Sequence, residues 1–165
     1  MTLSSGDKIP SVTLKRLSAE GLEDLDIAEH IRGKRVVLFG VPGAFTPACT
    51  EKHLPGYIAK YDELKSQGID EILCLHVNDP FVSARWSEET GADGVITLLP
   101  DGNAELTKEL GLDFDGSGFG LGTRCLRFSA VVNDGVVETI EIEDQPTDVN
   151  KASAEACLVS LKKAA

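Results

Sequence analysis

Two uninterrupted apolar runs, KRVVLFGV and EILCLHV, do most to limit what this chain can become. Each is short and rich in branched residues, so each reads as a buried strand, the first from about Arg35 to Val41. Helical patterns fall between and after them. Beyond Thr46, the residues Leu54, Tyr57, Ile58, Tyr61 and Leu64 recur at helical spacing, and Gly68 closes that segment. DPFVSARWSEET reads as a helix with Asp79 as N-cap and Pro80 at its first position. VITLLP is a short strand, and NAELTKEL a short helix ended by Gly111. RCLRFSAVVNDGVVETIEIE forms one hairpin around Asn133-Asp134-Gly135. A last helix runs from about Lys151 to Lys163, with Ala154, Cys157, Leu158 and Leu161 on one stripe, and SVTLKRL is a first, edge strand. This alternation implies an α/β fold, a central mixed β-sheet flanked by helices.

At 165 residues, without repeats or linkers, the chain is expected to be a single domain, 1–165. Its 42% hydrophobic and 26% charged residues are ordinary for a soluble globular protein. No apolar run is long enough to span a bilayer. The opening residues carry no apolar segment and no cleavage-like site, so a cytoplasmic address is expected. A net charge of −11 argues against nucleic acid and anionic membranes as partners. The four cysteines, Cys49, Cys74, Cys125 and Cys157, show no CxxC spacing. In a reducing compartment each thiol is judged on its own surroundings.

Cys49 has the most telling surroundings. It lies in GVPGAFTPACTEKHLPGY, where a strand hands over to a helix, among glycine, proline and hydroxyl residues. Thr46 before Pro47 fits an N-cap with proline at the first helical position, which makes Cys49 the third residue of the helix. Its sulfur then lies near unpaired backbone N–H groups and the positive end of the helix dipole. Both favour a thiolate, the form in which cysteine is a nucleophile. The alternative, a thiol that fills a gap, leaves Gly43, Thr46 and Pro47 unexplained as a group. Further on, Pro55 removes one backbone bond and crowds the carbonyl of Glu51. The first turn is therefore expected to be weakly tied and able to unwind.

The run Pro42-Gly43-Ala44-Phe45-Thr46-Pro47-Ala48-Cys49 resembles the P-G-A-F-T-P-x-C signature of peroxiredoxins of the type II, or peroxiredoxin-5, subfamily. KHLPGY, EILCLHVNDPFV, LLPDGNAELTKELGL and GLGTRCLRF resemble segments of that subfamily in the same order, so the likeness covers nearly the whole chain. It implies a thioredoxin-like fold and a thiol peroxidase without a cofactor. Such an enzyme reduces hydrogen peroxide and alkyl hydroperoxides through a Cys49 sulfenic acid, with glutathione, glutaredoxin or thioredoxin as reductant. A homodimer is implied by the family alone.

The family's signature arginine corresponds, on this reading, to Arg124 in GLGTRC. Arg124 shares strand parity with Leu126, Phe128 and Ala130, and a guanidinium on an apolar side needs an anionic partner such as the Cys49 thiolate. Thr46 has a hydroxyl that both donates and accepts, so it suits the orientation of a peroxide. Backbone N–H groups around Gly43 and Cys49 are further donors for developing charge, and Pro42 shields the sulfur as its counterpart does in the family. The catalytic set is thus Cys49, Thr46, Arg124, Pro42 and Gly43. The glycine-rich DGSGFGLGTR does not precede a GK[ST] helix start, so it gives no support to phosphate-loop chemistry, and a flexible loop that delivers Arg124 is the better reading.

Cys74 is either a small core residue or a resolving thiol, the latter by likeness to plant and bacterial members of the subfamily. Resolution requires unwinding around Cys49, because a disulfide needs Cα atoms within roughly 7 Å. Cys157 suits core packing, and Cys125 has no motif. His30 shows no partner pattern, while His53 reads as a surface residue or a source of positive potential. A rival from another class is a structural zinc site of Cys49, His53, Cys74 and His76. Metal there would block the nucleophile, and the spacing lacks a tight knuckle, so no metal is expected. A thiol–disulfide exchanger is the other alternative, and it lacks CxxC.

Overall fold

The computed structural model describes residues 1–164. It opens on a hairpin, β1 (Thr13–Ser18) with β2 (Gly21–Asp26), followed by the short helix α1 (Ile27–His30). The strand β3 (Arg35–Val41) leads into a π-helical turn (Cys49–His53), then α2 (Leu54–Ala59) and α3 (Tyr61–Ser66). Next come β4 (Glu71–His76), α4 (Pro80–Thr90), β5 (Thr97–Pro100) and α5 (Glu105–Glu109). A small pair, β6 (Asp113–Asp115) and β7 (Thr123–Cys125), precedes β8 (Phe128–Asn133), β9 (Val136–Ile142) and α6 (Ala154–Ala164).

The main sheet has the order β5-β4-β3-β8-β9. β5, β4 and β3 run parallel, and β8 and β9 continue the sheet antiparallel. Both apolar runs are therefore central strands, and neither shows alternation because both faces of the sheet are covered. On one face Val36, Leu38, Leu73, Leu75, Phe128 and Ala130 join one core. On the other, Val37, Phe39, Val41, Ile72, Cys74 and Val131 form a second core with Cys49 and Tyr57. The mixed sheet and its flanking helices match the expected architecture. So do the Asp79 cap, which accepts from the N–H groups of Phe81 and Val82, and the turn at Asp134 and Gly135. Both of those turn residues have positive φ, 47° and 80°, as the tight hairpin turn requires.

Three expectations are corrected. SVTLKRL does not join the edge of the main sheet: it pairs with GLEDLD in a separate hairpin. Cross-strand pairs of Lys15 with Asp24 and Arg16 with Glu23 suit an exposed ribbon of this kind. RCLRF is not one strand either, because Thr123–Cys125 pairs with β6 while the main sheet resumes at Phe128. Finally, α6 starts at Ala154 rather than Lys151, since the Ser153 hydroxyl accepts from the N–H of Ala156 and caps it there.

Candidate active site

The strand β3 ends at Val41, and the chain turns through Pro42–Phe45 into the helix that carries Cys49. This turn is held from several sides. The Ala44 N–H donates to Asn78 Oδ1 at 2.8 Å, and the Thr46 N–H reaches the Gly43 carbonyl at 3.4 Å. Phe45 sits at φ 62°, a left-handed conformation costly for a bulky side chain, and its ring is partly exposed. The Thr46 hydroxyl donates to the Gly43 carbonyl at 2.7 Å, so it does not cap the helix as expected. Its lone pairs face no donor in that bond and are free to accept.

The helix is not a regular α-helix where Cys49 sits. Residues Cys49–His53 form a wider π turn, and the Leu54 N–H returns to the Cys49 carbonyl. Pro55 has no N–H to give back and its ring crowds the carbonyl four residues earlier, so a widened turn relieves that clash. Trp86 on α4 is fully buried and donates from Nε1 to Thr50 Oγ1 at 3.1 Å, which ties the turn to the neighbouring helix.

Cys49 is fully buried, and the guanidinium that reaches it belongs to Arg127. Arg127 Nη2 lies 3.1 Å from Cys49 Sγ, Nη1 lies 2.9 Å from His53 Nδ1, and Nε donates to the Pro146 carbonyl at 3.0 Å. Arginine only donates, so His53 Nδ1 must accept, and Nε2 must carry the proton given to the Ala152 carbonyl at 2.8 Å. Geometry thus makes His53 a neutral imidazole. Burial first, and then the Arg127 charge, push its pKa down to about 3. The expectation of a surface or cationic His53 is corrected. Arg127 is itself only 2% exposed, and its three contacts are a sulfur, an imidazole and a carbonyl. An anionic sulfur would complete its charge balance.

Arg124, expected to meet the sulfur, instead holds backbone carbonyls. It donates from Nε to Leu121 O at 2.8 Å, and from Nη1 to Val77 O at 3.1 Å and Pro42 O at 3.5 Å. It staples the ends of β3 and β4 to the 116–122 loop. Gly43 lets it approach: a Cβ there would stand 2.5 Å from Arg124 Nη1. The parity argument failed because even-numbered positions, Phe128 and Ala130, face the core opposite Cys49. Odd-numbered Ser129 and Val131 share the face of Cys49, and Arg127 continues their register. That signal was present in LRFSAVV, but it needed the knowledge that both faces are buried. Asn78, Trp86 and the buried Glu143 were likewise not singled out.

The structure gathers Cys49, Thr46, Pro42 and Gly43 on one turn, with Pro42 and Gly43 buried. Cys74 lies on β4 in the same core as Cys49, and all four cysteines are free thiols. Burial, reinforced by nearby Cys49, pushes the Cys74 pKa up. Cys125 belongs to the opposite core, and burial raises it as well. Burial likewise lifts Cys157, on α6, to about 11. The zinc rival finds no donor set. His53 spends both ring nitrogens as described, and His76 spends its own on the Cys74 carbonyl and Ser83 Oγ. Among the described residues no group of three or more potential ligands comes together.

A buried thiol contacted by a guanidinium at the start of a helix, beside a mixed sheet, is the arrangement that a nucleophilic cysteine requires. A model of the Redoxin family matches residues 4–158. Peroxiredoxin-2E-2, chloroplastic, of Oryza sativa subsp. japonica is 46% identical over 148 residues, 87% of this chain and 66% of that protein. Peroxiredoxin-2E, chloroplastic, of Arabidopsis thaliana is 41% identical over 164 residues, 97% of this chain and 70% of that protein. The crystal structure of reduced Prx3 in complex with H2O2 from Vibrio vulnificus matches with a TM-score of 0.91 and 42% identity, over 98% of this chain and 97% of that one. The chain belongs to the Redoxin family, among the peroxiredoxins, and is a thiol peroxidase by class. The cytoplasmic address is corrected: both plant relatives are chloroplastic by name. That expectation had rested on the first residues of a chain that spans about two thirds of the rice protein's length.

Proposed function

We propose that Cys49 is the peroxidatic residue of a single-domain enzyme that reduces hydrogen peroxide and alkyl hydroperoxides. One observation carries the reading, the 3.1 Å contact between Arg127 Nη2 and Cys49 Sγ in a buried site. The thiolate attacks one peroxide oxygen in line, so the S–O bond forms as the O–O bond breaks. The leaving oxygen takes a proton and departs as water or an alcohol, and Cys49 becomes a sulfenic acid. Arg127 stabilises the anionic sulfur and the charge that develops on the leaving oxygen. Thr46, whose hydroxyl donates its hydrogen bond to Gly43 O, accepts a hydrogen bond from the peroxide O–H, which stays on that oxygen. The backbone around Gly43 and Cys49 adds N–H donors, and buried Pro42 keeps water from the sulfur. The peroxide named with the Vibrio relative supports this choice of substrate.

The sulfenic acid returns to thiol at the expense of glutathione, glutaredoxin or thioredoxin, either directly or through a Cys49–Cys74 disulfide. The enzyme acts as a homodimer on this reading, which light scattering of the reduced protein tests. Cys49→Ser should abolish peroxide consumption and leave the circular dichroism spectrum unchanged. Normal turnover in that variant would sink the proposal.

A further inference from the structure

Glu143 follows β9, is 7% exposed, and gives its carboxylate to backbone rather than to a cation. Oε1 accepts from the Asn150 N–H at 2.6 Å and from the Ala152 N–H at 2.8 Å, while its own N–H donates to Arg127 O at 2.9 Å. Burying a carboxylate is costly unless hydrogen bonds hold it, so these two bonds fix the intervening segment firmly. That segment has two carbonyls that serve the site. Ala152 O accepts from His53 Nε2 at 2.8 Å and from the Tyr57 hydroxyl at 2.9 Å, and Pro146 O accepts from Arg127 Nε at 3.0 Å. Arg127 has three contacts: one is the sulfur, and the other two, Pro146 O and His53, are both set by this segment.

We propose that Glu143 is a positioning residue for the peroxidase reaction. By tying Asn150 and Ala152, it places the carbonyls that orient His53 and Arg127, and so aims Arg127 Nη2 at Cys49 Sγ. The inference rests on the peroxidase reading given above. Glu143 touches no reacting atom and acts through backbone and imidazole alone.

The test compares Glu143→Ala and Glu143→Gln in the full chain, with Cys49→Ser and Arg127→Met alongside. Glu143→Ala should lower the second-order rate with hydrogen peroxide on the order of tenfold to a hundredfold, the scale of a misaimed catalytic group. Iodoacetamide alkylation of Cys49 should fall less than the peroxide rate, since it loses the help that Arg127 gives the anionic sulfur but not the stabilisation of a leaving oxygen. Glu143→Gln keeps an acceptor oxygen and should restore the rate to within about threefold of the parent. The Nε2–H resonance of His53 should be seen by nitrogen-edited NMR in the parent and the glutamine variant, and be lost or shifted in the alanine variant. If the alanine chain does not fold, Glu143→Asp carries the test, because a carboxylate one methylene shorter withdraws from the segment. An unchanged peroxide rate overturns the inference. So does a glutamine variant as slow as alanine, or a slowed variant whose His53 signal is intact. If Cys49→Ser or Arg127→Met keeps the parent rate, the peroxidase reading itself fails; if both are slow and Glu143→Ala is not, only the role of Glu143 fails.

Discussion

Arg127 and Arg124 stand three residues apart and have different work. Arg127 meets the sulfur, whereas Arg124 holds backbone carbonyls at the rim. Arg127→Lys should slow the reaction with peroxide by about a hundredfold, because a compact ammonium cannot reach sulfur, imidazole and carbonyl at once. Arg124→Lys should cost much less and act through the turn at Gly43. Stopped-flow rates for the two variants separate them, and the reverse ranking would return the catalytic role to Arg124. Thr46→Val, which deletes the hydroxyl but keeps the shape, should also slow peroxide reduction, and Thr46→Ser should be far milder.

On the proposed reading, the π turn is the element on which turnover depends. It carries Cys49, begins two residues after Pro47, and is tied to α4 through Trp86 and Thr50 and to the Ala152 carbonyl through His53. Trp86→Phe removes one such bond, worth about 1 kcal/mol, so opening of the turn should become roughly fivefold more frequent. Hydrogen exchange at the amides of Thr50–His53 measures this directly; unchanged protection would mean that Trp86 does not hold the turn. The same variant should form a Cys49–Cys74 disulfide faster if Cys74 resolves, which mass spectrometry after one equivalent of peroxide reads. Much at this scale was legible in residues. β3 and β4 announce themselves because strands covered on both faces need apolar residues at every position. Asp79-Pro80 and Asn133-Asp134-Gly135 carry local chemistry that no tertiary contact overrides. β2 was illegible because GLEDLD has the composition of a loop and is a strand only by pairing with β1. The π turn was hidden because apolar spacing assumes a constant helical period. Arg127 was missed because parity tells which residues share a face, but not which face holds Cys49.

Two buried histidines make the whole molecule sensitive to acid. His53 is held down to about 3 and His76 to about 4, in both cases chiefly by burial. An unfolded histidine titrates near 6.5, so below that pH the unfolded chain binds protons that the fold excludes. Their contribution to stability is complete above about pH 6.5. It declines on acidification by about 1.4 kcal/mol per pH unit for each histidine. Urea midpoints should therefore fall from pH 7 to pH 5, and His53→Gln should roughly halve that dependence; equal midpoints at both pH values would contradict neutral, buried rings. The thiols of Cys74, Cys125 and Cys157 have a different consequence. All three are buried and have raised pKa values, so in the reduced, folded chain they stay silent towards an alkylating reagent at neutral pH. Each one labelled records an excursion in which the packing around it came apart. Intact-mass counting of adducts over hours would then read the lifetime of the native state without any denaturant: the molecule carries its own timer.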